Sequence, residues 1–442
     1  MAQDLPTENP PVPDREAAIK ANADFVQRNF TQSTIALVFI AIGSQLYSDT
    51  SQTFLSYMIN TNTGISYLLS GIMYAIYVVL SAIFYILWGA ISDNLRTRFG
   101  RRIPLITTGS VATGILVYFF VFSQNLLWLF IDWGILISFV NSMTKVSGSL
   151  TADLIPLEKR GRVNMILQVV TPIGSVLIYI PSLLPLMGIP LQEAWIITVD
   201  MIIYSAIGVI AFFLVKEPPV VEPPIPIIEG IKKIVDWREF AKNKNFLWLF
   251  AGGIFLSAAD NAIFLNIFNF ISGIFSTINF DLTIIIIFAP IAVLIMVVGI
   301  YYLGKAIDKI GRKIITYVGF GLAPVGAFTI ALGGSNLIPL LLGFALFYMF
   351  YWTGSSAMSA WQQDTLPREA RGRFFGILGI SGAVGSAIGG IVSGLIADQY
   401  GILWIFIAAA IFLWSSLPIF SFVPETLHRE TPTEQKKMPE LQ

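Results

Sequence analysis

Trp88-Gly-Ala-Ile-Ser-Asp-Asn-Leu-Arg-Thr-Arg-Phe-Gly-Arg-Arg102 lies between two long apolar runs, and a shorter version, Gly304-Lys-Ala-Ile-Asp-Lys-Ile-Gly-Arg-Lys313, lies between two more in the second half of the chain. In each, a Gly and, four residues on, an Asp close one helix, and a Gly followed by two basic residues opens the next. Gly89 and Gly304 carry no side chain, which predicts close approach by a neighbouring helix. Gly100 and Gly311 supply the left-handed backbone of a tight turn. Asp93 and Asp308 suit the positive N-terminus of another helix or an Arg partner. The basic residues hold the loop at one membrane face. A merely charged loop between membrane helices would explain one such hairpin; two, at matching places in the two halves, argue for more.

The composition is that of a polytopic membrane protein. Of 442 residues, 55% are hydrophobic and 12% charged, with a mean hydropathy of +0.74; a soluble domain carries roughly 25% charged residues. Lys+Arg and Asp+Glu balance at 27 each, so net charge points to no nucleic-acid partner. The absence of cysteine excludes disulfides, thiol nucleophiles and thiolate metal sites. The single histidine, His428, falls in the polar C-terminal tail. No Gly-x-x-x-x-Gly-Lys-Ser/Thr phosphate loop, metal cluster or nucleophile–base pair is visible. An enzyme is therefore not expected, nor a cofactor or metal. The first 31 residues lack the short apolar core of a cleaved signal peptide.

A membrane-spanning helix takes about 20 mostly apolar residues. Twelve such runs read at 33–58, 64–92, 103–124, 126–152, 163–186, 192–215, 246–275, 281–303, 314–333, 336–362, 374–396 and 401–423, which predicts an all-α membrane protein of twelve transmembrane helices. Residues 14–30 read as a short cytoplasmic or interfacial helix. The Pro-rich stretch 217–227 cannot be a helix interior. In 228–244, Ile231, Ile234 and Val235 oppose Lys232, Lys233 and Arg238, the pattern of an amphipathic helix on a membrane surface. The expected organisation is a tail 1–31, a six-helix bundle 32–215, a linker 216–245, a second six-helix bundle 246–423 and a tail 424–442. All of the 27 Lys and Arg except Lys145 fall in the tails and the loops 93–102, 153–162, 216–245, 304–313 and 364–373. That asymmetry predicts a multi-pass protein of the cell membrane with those loops and both termini cytoplasmic.

The halves repeat. Ala152-Asp-Leu-Ile-Pro-Leu-Glu-Lys-Arg-Gly-Arg162 returns as Gln363-Asp-Thr-Leu-Pro-Arg-Glu-Ala-Arg-Gly-Arg373, an offset of 211 that also carries Gly174-Ser175 onto Gly385-Ser386. Parallel repeats place a binding site between the halves near mid-membrane and predict rocking of one half against the other.

Gly304 to Lys313 fits in full the loop pattern G-x-x-x-D-(R/K)-x-G-(R/K)-(R/K), and on this motif the chain resembles the major facilitator superfamily. The longer first copy, Gly89-x-x-Ser-Asp-x-x-x-Thr-Arg-Phe-Gly-Arg-Arg-x-Pro104, together with Ala152-Asp153-Leu154, is similar to the glycoside–pentoside–hexuronide:cation symporters, especially their sucrose-transporter-like members. The resemblance implies the major facilitator fold, two pseudo-symmetric six-helix bundles. It also implies that Asp93 docks on the N-terminus of the eleventh span and Asp308 on that of the fifth. Arg101 would pair with Asp153 and Arg312 with Asp364, latching the cytoplasmic side in the outward-open state. Melibiose-type members hold their cation on acids four and eight residues before the hairpin Gly; Tyr85 and Ser81 stand there, so that sodium site does not carry over.

A charge at the centre of a span costs about 2.5–3.5 kcal/mol, so each needs a reason. Asp49 of span one shares a helical face with Gln45, Gln52 and Ser56. The 211 offset carries it onto Asp260 of span seven, which Asn261, Asn266 and Asn269 follow. Asn141, Lys145 and Ser149 form a stripe on span four, and Asp132 and Asp200 read as interfacial and structural. Of the span-ten aromatics, Trp352 is singled out as a candidate contact for a sugar ring, the rest as packing. The expectation is a monomeric secondary transporter that moves a small polar solute, a sugar or glycoside for preference, by alternating access. A proton on Asp49 or Asp260 would drive it, with sodium still open. Lys145 would pair with an acid or stand in for a cation. A uniporter or exporter of an organic anion or amino acid, and a non-transporting scaffold on the same fold, remain the alternatives.

Overall fold

A computed structural model describes residues 22, 24–156, 159–185, 191–218, 226–234, 240–277, 282–334, 336–366 and 371–426. Twelve membrane helices appear among them, numbered α1 to α12. In the first half they are α1 Phe30–Thr63, α2 Tyr67–Asn94, α3 Ile103–Val121, and α4 Leu126–Ser149 continuing through Leu150–Leu154. Next come α5, in the pieces Arg160–Val170 and Pro172–Leu183, and α6 Glu193–Leu214. The second half has α7, in the pieces Lys244–Phe264 and Ile267–Thr277, then α8 Leu282–Ile310 and α9 Arg312–Gly333. α10 Leu337–Thr365, α11 Arg371–Tyr400 and α12 Ile405–Phe420 complete it. A linker helix runs over Ile227–Ile234. Residues 14–21, Val235, Arg238 and His428 lie outside the described residues.

The boundaries follow local chemistry. Asn125, Asn243 and Asn336 accept from the N–H groups of Trp128, Phe246 and Ile338, capping α4, α7 and α10. Pro104 and Pro172 sit in first turns, where the missing N–H costs nothing. Glycines with positive φ follow α9 and α11, at Gly334 and Gly401.

The helices group into two compact units, Met1–Met58 with Leu80–Lys233, and Ile59–Val79 with Ile234–Gln442. α2 is therefore shared between them. In the first unit Ala36, Leu37 and Ile40 of α1 meet Ile103 and Ile106 of α3, Leu150 and Leu154 of α4, and Ala211 of α6. Lipid tails remove any hydrophobic drive between helices, so contact relies on close backbone approach. A Cβ at Gly208 would overlap Ser110 Oγ, and Thr107 Oγ1 donates to the Gly208 carbonyl at 2.9 Å. In the second unit a Cβ at Gly319 would lie 2.5 Å from Gly354 Cα, packing α9 backbone on α10 backbone. Phe347 and Tyr351 stack beside this seam at 5.5 Å.

The close approach expected at Gly89 and Gly304 is not found. Among the described residues nothing lies within 4 Å of a Cβ built on either, because each occupies an open helix face.

Candidate functional site

α1 changes its winding at Asp49. Thr50–Phe54 form a π turn directly after it, and such turns are frequent at functional sites. Asp49 is 6% exposed, and Gln45 Nε2 donates to its Oδ1 at 3.0 Å. Gly174 lets α5 in: a Cβ there would lie 2.8 Å from Leu46 N and 2.9 Å from Gln45 Cβ. That approach sets Ser175 against the same carboxyl. The other oxygen, Oδ2, is buried without a hydrogen-bond partner. The face expected for Gln52 and Ser56 assumed an unbroken 3.6-residue period. The π turn breaks that period, and Ser56 is fully buried with an unpartnered hydroxyl.

On α4, Asn141 is buried and donates to Tyr204 OH at 3.1 Å, while the Tyr204 ring stacks on Tyr47 at 5.3 Å. Lys145 is exposed and opens a 3₁₀ stretch, Lys145–Ser149, so the stripe with Asn141 and Ser149 is not a straight α-helical one. Among the described residues Lys145 has no ion-pair partner, Asp49 included. Asp132 and Asp200, read as interfacial and structural, are buried at 0% and 2% exposure. Both oxygens of Asp132 and Oδ2 of Asp200 lack hydrogen-bond partners.

The second unit gathers its polar groups around Asp260 and Asn261 of α7. Tyr351 OH of α10 donates to Asp260 Oδ1 at 2.7 Å. Tyr74 OH of α2 donates to Asn261 Oδ1 at 2.6 Å, and Asn261 Nδ2 donates to Ser386 Oγ of α11 at 2.7 Å. Below them, Asn266 donates to Ser393 at 2.8 Å and accepts from Asn269 at 3.3 Å. Tyr351, which the sequence reading took as packing, is the span-ten aromatic that reaches the acid. Neighbours on a helix point about 100° apart, and Trp352 is 49% exposed.

At the basic-loop end, Gly100 and Gly311 adopt φ +106° and +128°, as their turns require. Arg101 Nη2 lies 2.7 Å from Asp153 Oδ2, and Arg312 Nη1 lies 2.6 Å from Asp364 Oδ2. Both pairings implied by the resemblance are therefore present. Arg102, not anticipated, pairs with Asp153 as well and lies 3.5 Å from Asp93 Oδ1. Burial pulls the Arg101 guanidinium down, but Asp153, Asp93 and Glu217 more than offset it and leave it raised. The Asp308 side chain lies outside the described residues.

Two further acids complete these hairpins. Glu217 accepts from the N–H groups of Arg101, Arg102 and Ile103 at 2.9, 2.9 and 2.7 Å. Glu425 accepts from those of Arg312 and Lys313 at 3.2 and 2.9 Å. A Cβ at Gly100 or Gly311 would strike the respective Glu, so each glycine serves both its turn and its cap. The signal was available: each Glu adjoins a Pro just after the sixth helix of its own half. Glu217→Ala is expected to destabilise the protein by about 1 kcal/mol through loss of a charged helix cap. A lowered thermal midpoint of the detergent-purified protein would register it; an unchanged midpoint would mean that water replaces the carboxylate.

No curated relative matches the sequence. Among solved structures the chain is similar to a variant of the nucleoside transporter NupG, at 16% identity and TM-score 0.66, covering 88% of this chain and 99% of that one. It is similar to a D-xylose-proton symporter at 16% identity and TM-score 0.62, covering 90% and 98%. The inward-open xylose transporter XylE from E. coli gives 14% identity and TM-score 0.63, covering 92% and 99%. A profile of the Major Facilitator Superfamily matches residues 35–363 and 335–441. With that profile spanning most of the sequence and twelve membrane helices in the matching arrangement, the chain belongs to the Major Facilitator Superfamily.

Proposed function

We propose that this protein is a secondary transporter that carries a small polar solute, a sugar or glycoside, by alternating access in symport with protons. One observation carries the reading: each unit buries or half-buries an acid on its leading helix, hydrogen-bonded to an uncharged donor, Gln45 for Asp49 and Tyr351 for Asp260. A carboxylate held that way in a membrane is costly when charged, and a proton neutralises it. Once protonated it also donates a hydrogen bond, which couples proton and hydroxyl binding. That the fold serves a D-xylose-proton symporter and a nucleoside transporter elsewhere supports the solute class.

In this reading the halves 32–215 and 246–423 rock about the solute, and the protein works as a monomer in the cell membrane with both termini cytoplasmic. Gln45, Gln52, Asn141, Asn261 and Trp352 remain candidate solute contacts beside the acids. The charged hairpins, with Asp93, Arg101, Asp153, Asp308, Arg312 and Asp364, act as the cytoplasmic latch. Asp93→Asn is expected to slow turnover severalfold with little change in solute affinity; a large affinity loss at normal turnover would refute the latch.

A uniporter is the second reading, favoured by Lys145: an exposed cation in span four, without an acid partner among the described residues, could replace a bound one. Uptake of labelled mono- and disaccharides into proteoliposomes separates the two. Concentrative uptake driven by an inward proton gradient alone supports the symporter. Sodium-driven uptake points to a cation site elsewhere, and equilibration without a gradient supports the uniporter. No sugar uptake under any condition rejects the cargo and moves the panel to organic acids and amino acids.

A further inference from the structure

The end of α2 remote from the basic loops is held by a distant acid. The N–H groups of Tyr67 and Leu68 donate to the two oxygens of Asp398, in the last turn of α11, each at 2.9 Å. Leu69 N–H donates to Ser66 Oγ at 3.2 Å and Ser70 N–H to the Ser66 carbonyl at 3.3 Å. A helix start has four N–H groups without intrahelical partners; here two are answered from 330 and 331 residues away. For its own helix Asp398 is misplaced, since a carboxylate in a last turn faces the negative end of the helix dipole. At the start of α2 it faces the positive end. Its position makes sense through α2, not through α11.

The same two helices touch backbone to backbone. A Cβ at Gly71 would overlap the Gly390 carbonyl, and one at Gly394 would overlap the Tyr67 carbonyl. Further along α2, Tyr74 leads through Asn261 to Ser386. Accordingly Ile59–Val79 groups with the second unit, although the same helix continues from Leu80 in the first.

We infer that Asp398 is a releasable clasp on the outer end of α2, made when the outer side of the carrier is closed and broken when it opens. The inference rests on the alternating-access reading. Two features fit a clasp better than permanent glue. Asp398 is exposed, so the carboxylate and the freed N–H groups are rehydrated on release. The seam beneath it is backbone on backbone at Gly71 and Gly394, so few side chains besides Tyr74, whose ring lies against Gly390, have to move as it parts.

The test reads accessibility rather than uptake. Because the chain has no cysteine, Ser386→Cys introduces a single reporter. In membranes presenting the outer face, its labelling by an impermeant maleimide follows outer opening. Asp398→Ala removes the acceptor. Leu68→Pro removes one donor from the other side and is tolerated in a first helical turn. Each is expected to raise the labelling rate about fivefold, the population shift from losing a charged hydrogen bond. Together they should do little more than either alone, the signature of one shared contact. Where Asp398→Ala is not recovered in the membrane, Leu68→Pro carries the test. Unchanged labelling in properly inserted variants overturns the clasp, as does a fully additive double variant. Faster labelling in a protein that moves no solute keeps the clasp and removes the transport reading; unchanged labelling with intact uptake does the reverse.

Discussion

Asp49→Asn is expected to abolish uphill, proton-driven uptake while leaving solute exchange across the same membrane. Asp49 is 6% exposed, one oxygen takes a hydrogen bond from Gln45, and the other has no partner. Crossing the membrane phase with that carboxylate charged costs on the order of 2.5–3.5 kcal/mol, which a bound proton removes. Asparagine has nearly the same shape and is permanently neutral. The variant therefore moves between its two states with solute bound but carries no proton, so an imposed pH gradient does no work on the solute. Counterflow should survive at a comparable rate, and gradient-driven accumulation should fall to the level of passive equilibration. Uphill uptake unaltered by the substitution would reject Asp49 as the coupling group.

Asp153→Asn is expected to be among the most destabilising single changes at the basic-loop end. Asp153 is the shared acceptor of Arg101 and Arg102, whose side chains are 19% and 8% exposed. Removing the acid leaves two guanidinium groups in a poorly hydrated place, with the more exposed Asp93 and the backbone-capping Glu217 as the remaining acids. Breaking a buried ion pair costs about 3–5 kcal/mol; with Asp153 itself 19% exposed, about 2 kcal/mol is a reasonable share of that range. The repeat partner gives the control. Arg312 and Asp364 are 23% and 36% exposed, so Asp364→Asn should cost less than about 1 kcal/mol. Thermal midpoints of the two variants in one detergent would decide the matter, and equal shifts would refute the asymmetry.

The hairpins were legible in the sequence because the demands on them are local and strict. A turn at positive φ asks for glycine, and the membrane face asks for basic residues, so Gly100, Gly311, Arg101 and Arg312 stand out from apolar surroundings. The helices were legible for the same reason, as long apolar runs between charged loops. The interior was less so. Reading a face from spacing presumes one helical period, and the π turn at Thr50–Phe54 and the 3₁₀ stretch at Lys145–Ser149 break it beside two of the candidate residues. Tyr351 and Trp352 are adjacent in sequence, and only the rotation of α10 decides which of them reaches Asp260. Glu217 and Glu425 lay hidden in segments that read as linker and tail, where one more acid is unremarkable until its backbone partners are seen.

The cap that Glu217 places on α3 also fixes where the chain can be divided. The residue closing the first hairpin is the opening of the connecting segment, so those first positions are part of the folded unit and not of the tether. A gene split before Glu217 would deliver the cap on the wrong polypeptide; one split beyond Pro218 leaves each fragment with its own hairpin finished. The stretch that joins two such fragments, and with it the local concentration at which they would find each other, is therefore counted from beyond Pro218.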